Sequence, residues 1–414
     1  MRGLFIYTIL FLPTLVFGQQ TLTLEDCYEL LKSNYPLAQV EGLLERQNEI
    51  DLDVINIGKL PQVDVAAQTT YQSDVIQVPI PTIEPLNNDQ YRATVSINQL
   101  IYGGGAIDAS LKARSAALKS QQKQVEVNLY QLKRQVNQLY FSNLLSREKQ
   151  ELLTAKKQEL VASLDEVKSG ITNGILVPAS DKVLEVELLK IEQQFQEAEH
   201  NELSLIGTLS SLCGKEIASS TILQSTEIIA DNESEISRPE LSLFQLKKDQ
   251  IETRHTLLSK QNSPKILGFV TSGYGNPGLN MLDNSFQPFY TVGVRLNWKV
   301  FDWSANTKER ESLLVNKEII DNEVRIFELN TQIRLDQEQT EISKLMGFIS
   351  SDLEIIKLRR DVLSSAESQL KNGVITTSAY IAELTNLFED ENTLSMHRIQ
   401  LILVKANYNT TKGQ

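Results

Sequence analysis

The side chains that most often do covalent or metal chemistry are few in this chain and far apart. His200, His255 and His397 each stand alone, with no second ligand at metal-binding spacing and no nucleophile within sequence reach. Cys27 and Cys213 are the only cysteines. Both fall in helical patterns, and spacing leaves open whether they pair as a disulfide or serve as small apolar packing residues. The glycines of YGGGA, from Tyr102, lack the Gly-Lys-Ser/Thr ending of a phosphate loop, and the same place in a later copy reads FDWSA. Those glycines make a turn. The expectation is a protein with no catalytic residues, no cofactor and no metal.

A different pair of short stretches invites attention. KSGITNGILVPAS, from Lys168, and LKNGVITTSAYIAE, from Leu370, each place an Asn-Gly pair inside a long helical pattern. Gly170, Gly174 and Gly373 permit a tight reversal of the chain. Around them Asn173, Ile175, Leu176, Val177, Asn372, Val374 and Ile375 are expected to be exposed at a hairpin end. Apolar residues left exposed there suggest a surface for a partner.

Composition narrows the setting. The chain has 414 residues and a formal charge of −13, with no basic cluster, so nucleic acid is not expected as a partner. Residues 1–18 carry Arg2, an apolar run from Gly3 to Val16 and a small-residue exit at Gly18, which is the layout of a secretory signal peptide. The mature chain is expected to begin near Gln19. Beyond Gly18 no stretch is long and apolar enough for a transmembrane helix.

The elements that position the two reversals are written twice. YRATVSINQLIYGGGA, from Tyr91, and YTVGVRLNWKVFDWSA, from Tyr290, align at a spacing of 199 residues, and the same spacing carries Asn173-Gly174 onto Asn372-Gly373. Pro36 and Pro61 lie 25 residues apart, as do Pro239 and Pro264. A length kept so strictly between landmarks argues for rigid elements rather than loops. Each copy reads as helix, strand, loop, strand, long helix, tip and returning helix. The expected division is a first repeat at 19–213 with strands about 62–73 and 91–102 and a tip about 169–177, a linker at 214–238, and a second repeat at 239–414 with strands about 265–275 and 289–301 and a tip about 371–377.

The strands alternate apolar and polar residues, as in Val63, Val65, Ala67, Thr69 and Tyr71 against Gln62, Asp64, Gln68 and Gln72. Their length of about ten residues suits a tilted transmembrane strand, and Tyr71, Tyr91, Tyr102, Tyr274, Phe289, Tyr290, Phe301 and Trp303 sit near their ends as an interfacial girdle would. A soluble sandwich could show the same alternation. The helical segments beyond the strands decide for the membrane: from Ala106 to Ser169 there is neither proline nor glycine, and apolar residues recur at spacings of three, four and seven. At 1.5 Å per residue this predicts a rod of roughly 95 Å, far longer than an ordinary domain needs. A four-stranded sheet cannot stand alone in lipid, because its edges would leave unpaired backbone groups, so several chains must share one barrel.

TLEDCYELLKSNYPLAQ, the junctions QLIYGGGAIDASLKAR and KVFDWSANTKERESLL, and the tips NGILVPASDKVLEVELLK and NGVITTSAYIAELTNL together resemble the TolC-type outer membrane efflux protein family. The resemblance implies an α+β membrane protein: a homotrimer whose shared 12-stranded β-barrel in the outer membrane continues into a long α-helical coiled-coil barrel projecting into the periplasm, built from two tandem repeats per chain. It implies an exit duct for a tripartite efflux pump or a type I secretion system, with the tip docked on a periplasmic membrane fusion (adaptor) protein and, through it, on an inner membrane pump or ABC exporter. It also implies a constriction just inside the tip, where many relatives carry acidic residues six positions after the hairpin glycine. Here those positions are Ser180 and Ala379, with Ala382 on the next turn, and the nearby acids are Asp181, Glu185 and Glu383. Where well-known relatives place an arginine latch this chain has Ile375, so a weaker acidic ring closed by packing is expected. The competing reading is a non-transporting helical scaffold, which would have no need of a lipid-facing band.

Overall fold

A computed structural model describes residues 21–77, 80, 84–225, 227–231 and 233–414. The expected signal peptide at 1–18 lies outside them. Among the described residues no helix is long and apolar enough to cross a membrane. The chain divides into two compact units, one formed by residues up to 38, 129–237 and 331–414, the other by 39–128 and 238–330.

In the second of these units four strands form one antiparallel sheet. They are β2 (Gln62–Tyr71), β3 (Asp89–Tyr102), β5 (Lys265–Asn276) and β6 (Gln287–Asn297), in that order across the sheet. Pairing places Val63 opposite Ile97, Val65 opposite Val95, Val270 opposite Val292 and Gly268 opposite Val294, so one face is a continuous apolar surface. That face is exposed, with Val65 at 78% and Val294 at 68%. The other face is mostly polar, and Ser96 and Thr271 hydrogen-bond across it at 3.0 Å. Phe269 and Phe289 depart from the expected polar face. Each sits opposite a glycine, and a Cβ on Gly293 or Gly273 would come within 2.8 or 2.5 Å of the ring. The Arg295 and Arg92 guanidinium groups cover these rings at 5.1 and 5.7 Å, so the aromatics are sheltered beneath charge. Helices α2 (Ala38–Ile57), α3 (Ala106–Gln131), α6 (Pro239–Gln261) and the first part of α7 (Ala305–Lys371) complete the unit. Charge pairs join them, Asp51 to Arg114 and Glu252 to Lys317, while Leu43, Ile50 and Val54 of α2 remain exposed.

The strand-to-helix turns in the two copies share one conformation. Gly104 and Gly105 have φ of +64° and +79°, and Trp303 and Ser304, 199 residues on, have φ of +54° and +62°. In both, the first helical N–H reaches back three residues, Ala106 to Gly103 O at 3.1 Å and Ala305 to Asp302 O at 3.0 Å.

In the other unit β1 (Thr21–Leu22) pairs in parallel with β4 (Ile222–Leu223), and the buried Tyr140 hydroxyl ties them by donating to Leu22 O at 2.9 Å and Gln224 O at 2.8 Å. Helix α1 (Leu24–Asn34) begins with a capping box, in which Thr23 Oγ1 accepts from Asp26 N and Asp26 Oδ2 accepts from Thr23 N. Those bonds hold the Asp26 carboxyl below its usual range. The body of the unit is α4 (Lys133–Thr172), α5 (Ser180–Cys213), the later part of α7 and α8 (Thr377–Lys412). Their buried residues repeat every seven: Leu153, Leu160 and Val167; Leu184, Ile191 and Ala198; Ile356, Leu363 and Leu370; Tyr380, Leu387 and Leu394. This is coiled-coil packing, and each buried leucine contributes about 2 kcal/mol.

Two expectations need correction here. The helix expected from Ala106 onward is continuous in sequence pattern but interrupted at Leu132, where the N–H of Leu132 bonds to Leu129 O at 3.1 Å and so tightens one turn. The sixth strand ends at Asn297 rather than near 301. Cys27 and Cys213 are both buried and unpaired by a disulfide, with the Cys213 thiol 3.7 Å from Cys27 O.

Candidate functional site

Both hairpin tips close by the same backbone device. At the end of α4, Gly174 has φ +73° and donates to Ile171 O at 3.1 Å, while Ile175 donates to Gly170 O at 2.9 Å. At the end of α7, Gly373 has φ +70° and donates to Leu370 O at 2.9 Å, while Val374 donates to Gln369 O at 2.8 Å. These paired bonds are Schellman motifs, and they require a left-handed residue that glycine adopts without strain. Asn173 and Asn372 immediately precede the glycines and are exposed.

The tip residues do not all project outward. Ile175, Val177 and Val374 are exposed at 56%, 71% and 70%. Leu176 and Ile375 instead fold back onto the coiled-coil core that includes Leu160, Val167 and Leu370. Gly170 makes room for this, because a Cβ there would stand 2.8 Å from Leu176 Cδ1. The outward apolar surface is thus Ile175, Val177 and Val374, and the inward leucine and isoleucine anchor the turns.

The returning helices start differently. Thr376 caps α8, its hydroxyl accepting from Ala379 N at 3.2 Å. Val177 stands at the same place in the first tip, has no hydroxyl, and is followed by Pro178 and by Ala179 at φ +74°, so α5 begins at Ser180.

Each candidate acid of the constriction already has a cation. Asp181 and Glu185 meet Lys182 at 3.5 and 2.7 Å, and these carboxylates hold the exposed Lys182 ammonium above its usual range. Glu383 receives Arg359 Nη1 from α7 at 3.4 Å, and the same guanidinium binds Asp390 through Nε at 2.9 Å. Ser180 is half-buried, and Ala379 and Ala382 are exposed. Between the tips Lys371 bridges Glu367 at 2.9 Å and Glu166 at 3.3 Å. A groove of 630 Å³ opens beside them, lined in part by Asp165, Glu166, Ile175, Glu367 and Lys371. On one side of it burial, followed by the charge of Glu367, pushes the Glu159 carboxyl up, while the Tyr380 hydroxyl hydrogen-bonds to Ser163 Oγ at 3.1 Å. Arg359 and Glu166 were not singled out by sequence. The signal for Arg359 is its distance before the second Asn-Gly break, nearly that of Asp390 after it, which sets the two level in an antiparallel hairpin. Among the described residues no group of histidine, cysteine and acidic side chains could hold a metal ion.

Comparison with known proteins bears on the whole arrangement. The family model described as Outer membrane efflux protein matches residues 29–204. Among curated proteins no sequence matches. Solved structures do: VceC of Vibrio cholerae, an outer membrane protein, is 13% identical with a TM-score of 0.67 over 94% of this chain and 96% of its own. The outer membrane channel CmeC of Campylobacter jejuni is 12% identical with a TM-score of 0.66 over 100% and 94%. CusC, described in terms of transmembrane channel formation, is 10% identical with a TM-score of 0.69 over 94% and 92%. The chain therefore resembles the outer membrane efflux protein family in sequence over residues 29–204, and along nearly all its length it has the fold of such outer membrane channels.

Proposed function

We propose that three copies of this chain form an exit duct: a shared barrel in the outer membrane leading into a helical tunnel whose periplasmic tip docks on a membrane fusion adaptor of a tripartite efflux pump or type I secretion system. The observation that carries this reading is the four-stranded sheet with one exposed apolar face and two unpaired edges, joined to coiled-coil hairpins. Such a sheet is stable in hydrocarbon only inside a closed barrel, and twelve strands leave a lumen where eight do not. A duct breaks no bond, so its working parts are the outward tip residues Ile175, Val177 and Val374 and the groove beside them, where an adaptor helix would seat. The tip constriction is closed mainly by packing, with the Arg359–Glu383 pair joining α7 to α8.

The deciding experiment is extraction. The mature protein is expected in outer membranes, released only by detergent, and trimeric by sizing; a water-soluble monomer would sink the duct. Single-channel recording tests the constriction: Glu383→Gln should lower cation selectivity only modestly, because Arg359, shared with Asp390, already offsets part of that charge, whereas Arg359→Gln should increase it.

A further inference from the structure

The free edges of the sheet can be matched to one another from the seam already inside the chain. The hairpins β2–β3 and β5–β6 have one register: Gln62 faces Asn98 as Lys265 faces Asn297, and Val63 faces Ile97 as Ile266 faces Leu296. Lys265 follows Gln62 by 203 residues and Asn297 follows Asn98 by 199. The seam between the hairpins, β3 to β5, runs from Tyr91 opposite Asn276 to Tyr102 opposite Ile266, with a bulge between Leu100 and Tyr102. Moving each side of that seam by its own spacing turns β3 into β6 and β5 into β2.

We propose that β6 pairs antiparallel with β2 of a second copy of this chain in that register. Val292 then lies opposite Tyr71, Leu296 opposite Ala67, Trp298 opposite Val65 and Lys299 opposite Asp64; a bulge comes next, and Phe301 lies opposite Val63. The proposal rests on the shared-barrel reading above and adds its seam.

Three observations converge on it. The first is a length difference. β3 continues to Tyr102 because Gln99–Tyr102 pair with β5 after pairing with β2 has ended at Asn98. β6 stops at Asn297, and the corresponding residues 298–301 include Trp298, Val300 and Phe301, exposed at the end of a strand that has lost its partner. The second is parity. This register sets the apolar face of β6 against the apolar face of β2 throughout, and a slip of one residue would put every one of those side chains on the wrong side. The third is charge. Lys299 meets Asp64 on the polar face; among the described residues of its own chain Asp64 receives only the Asn98 amide, at 3.2 Å. Opposite charges directly across a strand pair favour the pairing. The repetition stops at the turn, where Trp303 carries a side chain at the place Gly104 leaves empty against Ser263.

Cysteine pairs test the register. In outer membranes carrying Asp64→Cys with Lys299→Cys, oxidation should give reducible dimers and trimers, with each single variant and the buried Cys27 and Cys213 as controls. Ala66→Cys or Gln62→Cys combined with Lys299→Cys should cross-link about tenfold less, because residues two positions off register stand too far apart for a disulfide. A stronger cross-link in either shifted pair overturns the register. No cross-link in any pair, with a detergent-stable trimer still present, overturns this seam while the shared barrel stands. A monomer throughout sinks both. The charge pair is tested separately: Asp64→Lys should lower the heat resistance of the trimer, and adding Lys299→Asp should restore it; failure of that rescue also counts against the register.

Discussion

The two strand-to-helix junctions make one turn with opposite side chains. Gly104 and Gly105 enter the left-handed region in the first, Trp303 and Ser304 in the second. The first junction is covered by the turn that leads from α6 into β5, so closely that a Cβ on Gly104 would stand 2.4 Å from Ser263 Cβ. At the second, Asn262 reaches Asp302 at 2.6 Å, while the two left-handed residues themselves stay exposed. Trp303 is 86% exposed and meets Phe301 edge-on with centroids 4.8 Å apart. Two reasons for glycine that usually travel together are separated here. Backbone conformation alone can be forced on a tryptophan; backbone conformation with a neighbour pressed against it cannot.

The largest expected effect breaks that distinction. Gly104→Ala should cost about 3 kcal/mol, combining left-handed strain with overpacking, while Gly105→Ala, with its nearest neighbours at 3.9 Å, should cost only about 1 kcal/mol. Denaturant midpoints in detergent distinguish the two, and equal losses would remove proximity as the cause. The tips offer the next contrast, between a capped and an uncapped helix start. Thr376→Ala should destabilise α8 by about 1 kcal/mol, seen as faster amide exchange in its first turn, and Val177→Ala should leave α5 unchanged. Relief of strain should come next: Ser304→Gly is expected to raise stability by just under 1 kcal/mol. The smallest gain, about 0.5 kcal/mol, is expected from Ala179→Gly, because that residue lies at an exposed helix start.

The sequence carried those features that repeat. The spacing of 199 residues placed β3, β6 and both tips, the equal 25-residue proline spacings placed β2 and β5, and apolar residues at spacings of three, four and seven marked a buried stripe along the long helices. What it could not carry depends on contacts between distant residues. Leu176 looked exposed because it comes just after an Asn-Gly turn; it is drawn inward by a core built from four helices and by the space at Gly170. The partner of Glu383 was out of reach because Arg359 is on another helix. The strand end at Asn297 was misplaced because alternation continues past it, while pairing, which makes a strand, does not. The start of α5 at Ser180 was hidden by the symmetry of the tips, since Val177 aligns with a threonine whose hydroxyl it lacks.

In the duct proposed above, the open edges of the sheet also govern when the chain can enter a membrane. A lone copy would carry two rows of unpaired N–H and C=O groups into hydrocarbon, at several kcal/mol for each group left bare. Insertion by single chains is therefore barred by a steep barrier, and the rate of biogenesis should climb faster than linearly with the concentration of unassembled subunits. Until that meeting occurs, the same edges are sticky templates for any extended peptide, so on the proposed duct reading an unassembled copy is an aggregation hazard.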